Sequence, residues 1–248
     1  RGAAPAETDD GGSDEVVSRW SLLSSLCDKE ISCKSALRRR MALRKQRGEG
    51  KPVHIVFSVT PMAKYEWQSR FFMYWYNQTQ TLQRKLGGTV TRLLSAAHGD
   101  HLMDEIPTFV AKSPTDLFAV DNYVPYNKIT SVMQWVTEVG PSLPDDAIVC
   151  ILDVDVVLLE DLSHLMVDVK KGKPMGAHGF MSFPDDNTPF DKTVERYCHG
   201  CTFADPLAVP YVIHKDDLLA LAPLWLNKTK EIRNDTLPWA SVKDWRGG

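Results

Sequence analysis

The stretch AIVCILDVDVVLLEDL, Ala147 to Leu162, decides how the rest of the chain is read. From Ala147 to Leu152 it is an unbroken apolar run of the length of one strand, and it reads as a buried strand. Asp153 and Asp155 follow at once, one residue apart, inside a segment that otherwise suits a protein interior. An unpaired carboxylate away from water costs on the order of several kcal/mol. The two aspartates therefore require partners, and the elements around them indicate which.

Upstream, Val53 to Val59 is a second β-branched apolar run, stopped by Thr60-Pro61. Tyr65 to Arg84 carries Trp67, Phe71, Tyr74 and Trp75 at helical spacing, and Gly87-Gly88 ends it. Thr89 to Ser95 and Thr108 to Val110 read as strands, and Asn127 to Glu138 as a helix before a turn rich in Pro and Gly. Downstream, Pro174 to Phe180 and Ala208 to Ile213 read as short strands. Lys215 to Trp225 reads as a helix with Asp216 and Asp217 in its first turn, where the macrodipole favours negative charge. Strands alternating with helices predict an α/β sandwich with a mainly parallel sheet. Ligands of such sheets bind beyond the carboxyl ends of the strands, where Asp153 and Asp155 are expected to stand.

The chain has 248 residues, 43% of them hydrophobic and 25% charged, enough for a sizeable core. A net charge of −3 argues against a general nucleic-acid binder. Residues 1–50 differ from the rest: a small, acidic start, a short amphipathic stretch (VVSRWSLLSSL), then a basic run from Lys34 to Arg47. They read as a flexible tail and basic stem preceding a domain over residues 51–248. Asn77, Asn227 and Asn234, three of the six asparagines, open N-x-Thr glycosylation sequons and tilt the reading toward the secretory pathway. Among five cysteines, Cys198-His-Gly-Cys201 lacks the second ligand pair of a structural zinc unless Cys27 and Cys33 supply it. Disulfides in an oxidising lumen, with one thiol left over, are the preferred reading.

Four readings compete for the aspartate pair. In one, Asp153 merely ends a strand and Asp155 caps or turns a loop. A calcium loop of the EF-hand type needs Gly and Glu where this chain has Leu158 and His164. A glycosidase pair needs two carboxylates across a sugar ring, usually from different strands. The last is a divalent cation, Mn2+ or Mg2+, held by carboxylates and carrying a nucleotide diphosphate. An apolar strand ending in Asp-x-Asp is the pattern of nucleotide-sugar glycosyltransferases.

Other stretches carry a more specific likeness. Trp67-Gln68, Met73-Tyr-Trp-Tyr76, Gly87-Gly-Thr-Val-Thr-Arg-Leu-Leu94 and Leu102-Met-Asp-Glu-Ile-Pro-Thr-Phe-Val110 resemble the hydroxyproline O-arabinosyltransferases of plants and green algae. So do Tyr126-Asn-Lys128 with Gln134-Trp135, Asp205-Pro206, Val212-Ile213 and Leu221-Ala-Pro-Leu-Trp225. The likeness covers about residues 53–236. It departs at Asp153-Val-Asp155, where that family usually shows Glu-Pro-Asp. The sister family, the peptidyl serine α-galactosyltransferases, shows Asp-x-Asp there, and Ala220 to Leu226 also resembles its helix.

The resemblance implies a GT-A-like nucleotide-sugar-binding fold and a retaining transfer from a UDP-sugar to a peptide hydroxyl. The donor is expected to be UDP-L-arabinofuranose with a hydroxyproline acceptor, or UDP-galactose with a serine acceptor. A relative that binds UDP or peptide in the lumen without catalysis is the rival from another class. The resemblance further implies a Golgi or ER lumenal enzyme, type II anchored through a segment N-terminal to Arg1. It also implies a catalytic domain that continues past Gly248, where a GT-A-type site takes a His ligand for which His214 is a poor substitute. Asp153 and Asp155 are the expected metal ligands. Thr60, Gln68, Arg92, Asn127 and Lys128 are the donor-binding candidates, with Lys128 set to meet phosphate as a point charge. Arg92, inside a strand, needs a partner: substrate, Asp104 or Glu105. Asp205 is the candidate catalytic residue, contacting the acceptor or stabilising positive charge at the sugar carbon. Trp67, Trp75, Trp135 and His54 are expected in the core.

Overall fold

The computed structural model describes residues 53–79, 88–159, 162, 168–178, 196–197 and 207–235. In chain order its elements are β1 (Val53–Val59), α1 (Ala63–Thr79), β2 (Thr89–Ser95), β3 (Thr108–Ala111), α2 (Thr115–Val120), α3 (Tyr126–Glu138), β4 (Ile148–Leu152), β5 (Met175–His178), β6 (Leu207–His214) and α4 (Lys215–Asn234). Single 3-10 turns occur at His101–Asp104 and Gly140–Ser142. The expected tail and stem, the cysteine motif around Cys198 and the candidate Asp205 lie outside the described residues.

The six strands make one sheet in the order β3-β2-β1-β4-β6-β5. β1 pairs in parallel with β2 and with β4, and β2 with β3. β6 runs antiparallel to β4, and β5 antiparallel to β6. The mixed α/β, mainly parallel sheet read from the alternation of elements is therefore present.

Alternation along β1 shows how the sequence divides the core. Val53, Ile55, Phe57 and Val59 join Phe72 and Tyr76 of α1 on one face of the sheet. Val56, pointing the other way, joins Val132, Trp135 and Val136 of α3, and Leu218 and Ala222 of α4. Strand side chains alternate faces, so a strand covered on both sides must be apolar at consecutive positions, as β1 and β4 are. All five residues of β4 are buried.

Three local expectations change. α2 was not foreseen, because its six residues are too few to show periodicity. α4 runs to Asn234 rather than ending near Trp225, with Pro223 inside it. Pro223, which has no N–H to donate to the carbonyl of Leu219, is exposed, as is Leu219. Trp67 is 59% exposed, whereas Trp135 is fully buried against the ring of His54, with centroids 4.8 Å apart. Helical spacing had placed Trp67 in the core, but the buried stripe of α1 runs through Ser69, Phe72 and Tyr76.

No described helix is long and apolar enough to cross a membrane.

Candidate functional site

From β1 the chain moves through α1 to β2 and β3 on one side, then returns through α3 to β4 on the other. The boundary between β1 and β4 is therefore a topological switch point, where crossovers leave in opposite directions and a crevice opens past the strand ends. Phe57 lies opposite Leu152 in the last pair of that ladder, so the residues beyond this pair emerge side by side. They are Ser58, Val59 and Thr60 from β1, and Asp153, Val154 and Asp155 from β4, and together they line a cleft of about 440 Å³.

The conformation after β4 explains the Asp-x-Asp pattern. The amide of Val156 donates to the carbonyl of Asp153 at 3.3 Å, closing a turn. Val154 and Leu158 are buried with the α1-side core. With Val154 anchored there, the aspartates on either side of it line the cleft, Asp153 half-buried and Asp155 exposed. The carboxylates that looked misplaced in an apolar run thus flank the residue that continues the core.

The opposite wall is the start of α3. Asn127 is fixed there by the hydroxyl of Ser95, at the end of β2, which donates to its Oδ1 at 2.8 Å. Lys128, one residue on, donates from Nζ to Oδ1 of Asp153. α3 has no side-chain cap at its N-terminus, and its first turn lines the cleft, so the positive end of its dipole faces the same space.

Aromatic residues complete the lining: Tyr65 from α1, Tyr123 before α3, Tyr211 from β6 and Trp225 from α4. Tyr211 lies opposite Ile151 in the ladder and packs edge-on against Trp225, centroids 6.4 Å apart. Burial, and to a lesser degree the charge of Asp153, push the Tyr211 hydroxyl above the usual phenol range. It stays protonated and available as a donor. Tyr123 is held by Arg233, whose guanidinium lies 4.4 Å from the ring centroid and forms a bidentate pair with Asp121.

Five of the residues singled out from sequence thus meet in one cleft: Thr60, Asn127, Lys128, Asp153 and Asp155. Two donor-binding candidates do not line it. Gln68 lies on α1, three residues past Tyr65, and its Oε1 is buried without a hydrogen-bond partner among the described residues. Arg92 is a buried residue of β2, and its charged partner among the described residues is Asp100, not the expected Asp104 or Glu105. Its Nη1 donates to Asp100 at 2.9 Å, Nη2 donates to the other oxygen of Asp100, and Nε donates to Thr108 at 3.0 Å. Hydrogen bonding from Arg92 holds the Asp100 carboxyl below the usual carboxylate range. Glu105 pairs instead with Arg70 at 2.7 Å. His214 is opposite Ile148, at the other end of β4 from Asp153, where it caps α4 by accepting from the amide of Asp216.

Among the described residues no cluster of three or more His, Cys, Asp or Glu side chains forms a ready-made metal site. The two cleft carboxylates still fit a hard divalent cation, because both offer oxygen and both line open space. Mg2+ and Mn2+ are commonly bound by one or two carboxylates, with waters and substrate phosphates in the remaining positions.

The profile of the hydroxyproline O-arabinosyltransferase family N-terminal domain matches residues 53–245. The chain belongs to this family. Its similarity extends to hydroxyproline O-arabinosyltransferases of Medicago truncatula, 28% identical over 189 residues, and Arabidopsis thaliana, 29% identical over 200 residues. Those matches cover 73% and 78% of this chain, and 50% and 52% of the relatives. A peptidyl serine alpha-galactosyltransferase of Arabidopsis thaliana is 28% identical over 194 residues, covering 76% of this chain and 23% of that relative. The chain spans about half the length of the hydroxyproline O-arabinosyltransferases it matches. The matched region begins at β1 and includes every described residue of the cleft.

Proposed function

We propose that residues 51–248 form the GT-A-like, nucleotide-sugar-binding part of a glycosyltransferase that transfers L-arabinofuranose from a UDP-sugar to peptide hydroxyproline. The observation that carries this reading is the convergence of Asp153, Asp155, Lys128 and the start of α3 on one cleft at the switch point of the sheet. Charge accounts for why a cation belongs in that reading. Asp153 and Asp155 against Lys128 leave the described lining with one net negative charge, which repels a diphosphate. Mn2+ or Mg2+ bound by the two aspartates reverses that sign and neutralises negative charge on the departing diphosphate.

The protein's own groups have distinct tasks in this scheme. Asp153 and Asp155 hold the cation. Lys128 and the α3 dipole face the phosphates. Asn127, fixed by Ser95, keeps the start of α3 in register with the strand ends. The Tyr211 and Trp225 faces suit stacking on a base or sugar ring, and the Tyr211 hydroxyl donates to a sugar or phosphate oxygen. Asp205, the acceptor-side candidate, is proposed from the family likeness alone, as is retention of configuration at the sugar carbon.

Asn77, Asn227 and Asn234 are all exposed, which supports the lumenal, N-glycosylated reading and with it a Golgi or ER enzyme with a type II anchor. A second assignment within the same chemistry, transfer of galactose from UDP-galactose to serine, rests on the likeness to the peptidyl serine alpha-galactosyltransferase, 28% identical over 194 residues.

The decisive experiment measures UDP release by the full-length protein. It compares UDP-arabinofuranose with UDP-galactose, on hydroxyproline and serine peptides, with the product anomer read by NMR. Asp155→Ala is expected to abolish metal-dependent UDP binding while leaving the fold intact, because Asp155 is exposed. Unchanged UDP binding by that variant would refute the site.

A further inference from the structure

We propose that Lys128 is a built-in counter-ion of Asp153 and couples cation binding to nucleotide binding. The cation must take Asp153 from Lys128, and the diphosphate gives Lys128 a new partner. This inference rests on the glycosyltransferase reading of the same cleft.

Three charged side chains line the cleft among the described residues: Lys128, Asp153 and Asp155. They are not equivalent. Asp153 accepts from Lys128, whereas Asp155 makes no ion pair among the described residues. A divalent cation approaching the pair therefore finds one free carboxylate and one already neutralised. Binding to both brings two positive centres onto a single carboxylate, and their repulsion drives the ammonium off. The backbone of Lys128 cannot follow, since the neighbouring Asn127 is tied to Ser95 and the rest of α3 is packed beneath the sheet. Only the flexible four-carbon stem moves, and it leaves an unpaired ammonium beside a cation.

A diphosphate bridging that cation presents oxygens within reach of the same ammonium and removes the penalty. Cation and nucleotide then each tighten the other by one shared factor, as linkage requires. A lysine suits this exchange better than an arginine: its ammonium is a compact point charge that re-aims freely, whereas a guanidinium grips a carboxylate in a fixed fork.

The test counts bound Mn2+ by the electron paramagnetic resonance signal of free Mn2+, using the full-length protein with and without UDP. Circular dichroism confirms folding of each variant. For the wild type, UDP is expected to tighten Mn2+ at least about tenfold, within the usual range of such couplings. Lys128→Met should bind Mn2+ alone roughly three- to tenfold more tightly, while the tightening by UDP shrinks to about two- to threefold. Lys128→Arg should restore weak binding of Mn2+ alone. A Lys128→Met protein whose Mn2+ affinity is unchanged or weaker without UDP, or whose coupling to UDP is intact, overturns the counter-ion role. Asp155→Asn separates this failure from failure of the site. If Asp155→Asn loses Mn2+ binding while Lys128→Met behaves as wild type, only the counter-ion inference falls. If Asp155→Asn binds Mn2+ and UDP as wild type does, or the wild type binds no Mn2+ even with millimolar UDP, both fall.

Discussion

Arg92 offers the sharpest test of whether a buried charge serves the fold or the ligand. Its side chain is 2% exposed and that of Asp100 20%, and all three hydrogen bonds assigned to the guanidinium go to Asp100 and Thr108. Asp100→Asn keeps the shape but removes the counter-charge, leaving a guanidinium inside the sheet with one neutral acceptor in place of a carboxylate. Breaking a buried pair from one side costs about 3–5 kcal/mol. The partial exposure of Asp100 moves the expectation to the lower end, about 3 kcal/mol. Asp100 also accepts from the amide of Leu102 at 3.2 Å, and the amide oxygen of Asn can keep that bond. The double variant Arg92→Met with Asp100→Leu removes both charges together, and should recover most of the loss. Urea unfolding at pH 7 measures all three proteins. The pH dependence gives an independent check. Because Asp100 has a lowered pKa in the folded state, its contribution is full above the unfolded value near 4 and disappears as pH falls through the folded value. Asp100→Asn should therefore flatten the acid limb of the stability curve below about pH 4. The reasoning is refuted if Arg92→Met folds with near-normal stability yet loses more than tenfold in UDP–Mn2+ affinity, for Arg92 would then belong to the ligand.

Two further predictions concern the core beneath α3. His54 is buried, with one ring nitrogen hydrogen-bonded to the Thr89 hydroxyl and the other 2.9 Å from that of Thr91. Burial lowers its pKa from 6.5 to about 4, so the unfolded chain takes up the proton first. Stability should be full above about pH 6.5 and fall by roughly 3 kcal/mol as pH drops toward 4, with His54→Phe flattening that window in equilibrium unfolding. Trp135 is fully buried, and its indole N–H has no hydrogen-bond partner among the described residues. Trp135→Ala should cost about 3–5 kcal/mol in denaturant unfolding through the cavity it leaves. Trp135→Phe should cost clearly less, since it keeps a ring against His54 and removes an unsatisfied donor. Equal losses for the two variants would refute the cavity argument.

The parts of the fold legible in the sequence are those where one constraint dominates. β1 and β4 are covered on both faces, so consecutive apolar residues were forced and their positions were clear. α2 was invisible because six residues cannot display a helical period. The continuation of α4 past Trp225 was missed because no residue of the helix beyond Leu226 is buried, so the apolar period that marks its first half fades there. Arg92 was legible as a charge needing a partner, but Asp100 was not legible as that partner. It sits in a connection whose path past β2 depends on the turn through His101–Asp104, not on any periodic signal. Tyr211 and Trp225 were missed as cleft residues for a related reason. They come from β6 and α4, and antiparallel pairing of β6 with β4 is what carries Tyr211 to the carboxyl end of β4. Sequence alternation alone gives no strand direction.

That division also bears on donor choice. The Asp153-Val-Asp155 turn is shaped by Val154 packing into the α1-side core, so its geometry answers to the fold and not to the sugar. A cation there would contact phosphate oxygens, which are common to every UDP-sugar. A single substitution in this turn is therefore a poor indicator of whether arabinofuranose or galactose is used. Discrimination between a five- and a six-membered ring needs shape and hydrogen-bonding groups beyond the phosphates. Among the described residues those groups are Tyr65, Tyr123, Tyr211, Trp225 and Thr229, from three elements and the loop before α3. Tyr123 is braced from α4, since Arg233 pairs with Asp121 and stacks on Tyr123, while the Thr229 hydroxyl donates to the carbonyl of Trp225. The wall that would read the sugar is thus held by contacts independent of the carboxylates that would hold the cation. On the proposed reading, this separation would let one cation-binding turn serve transfer from either donor.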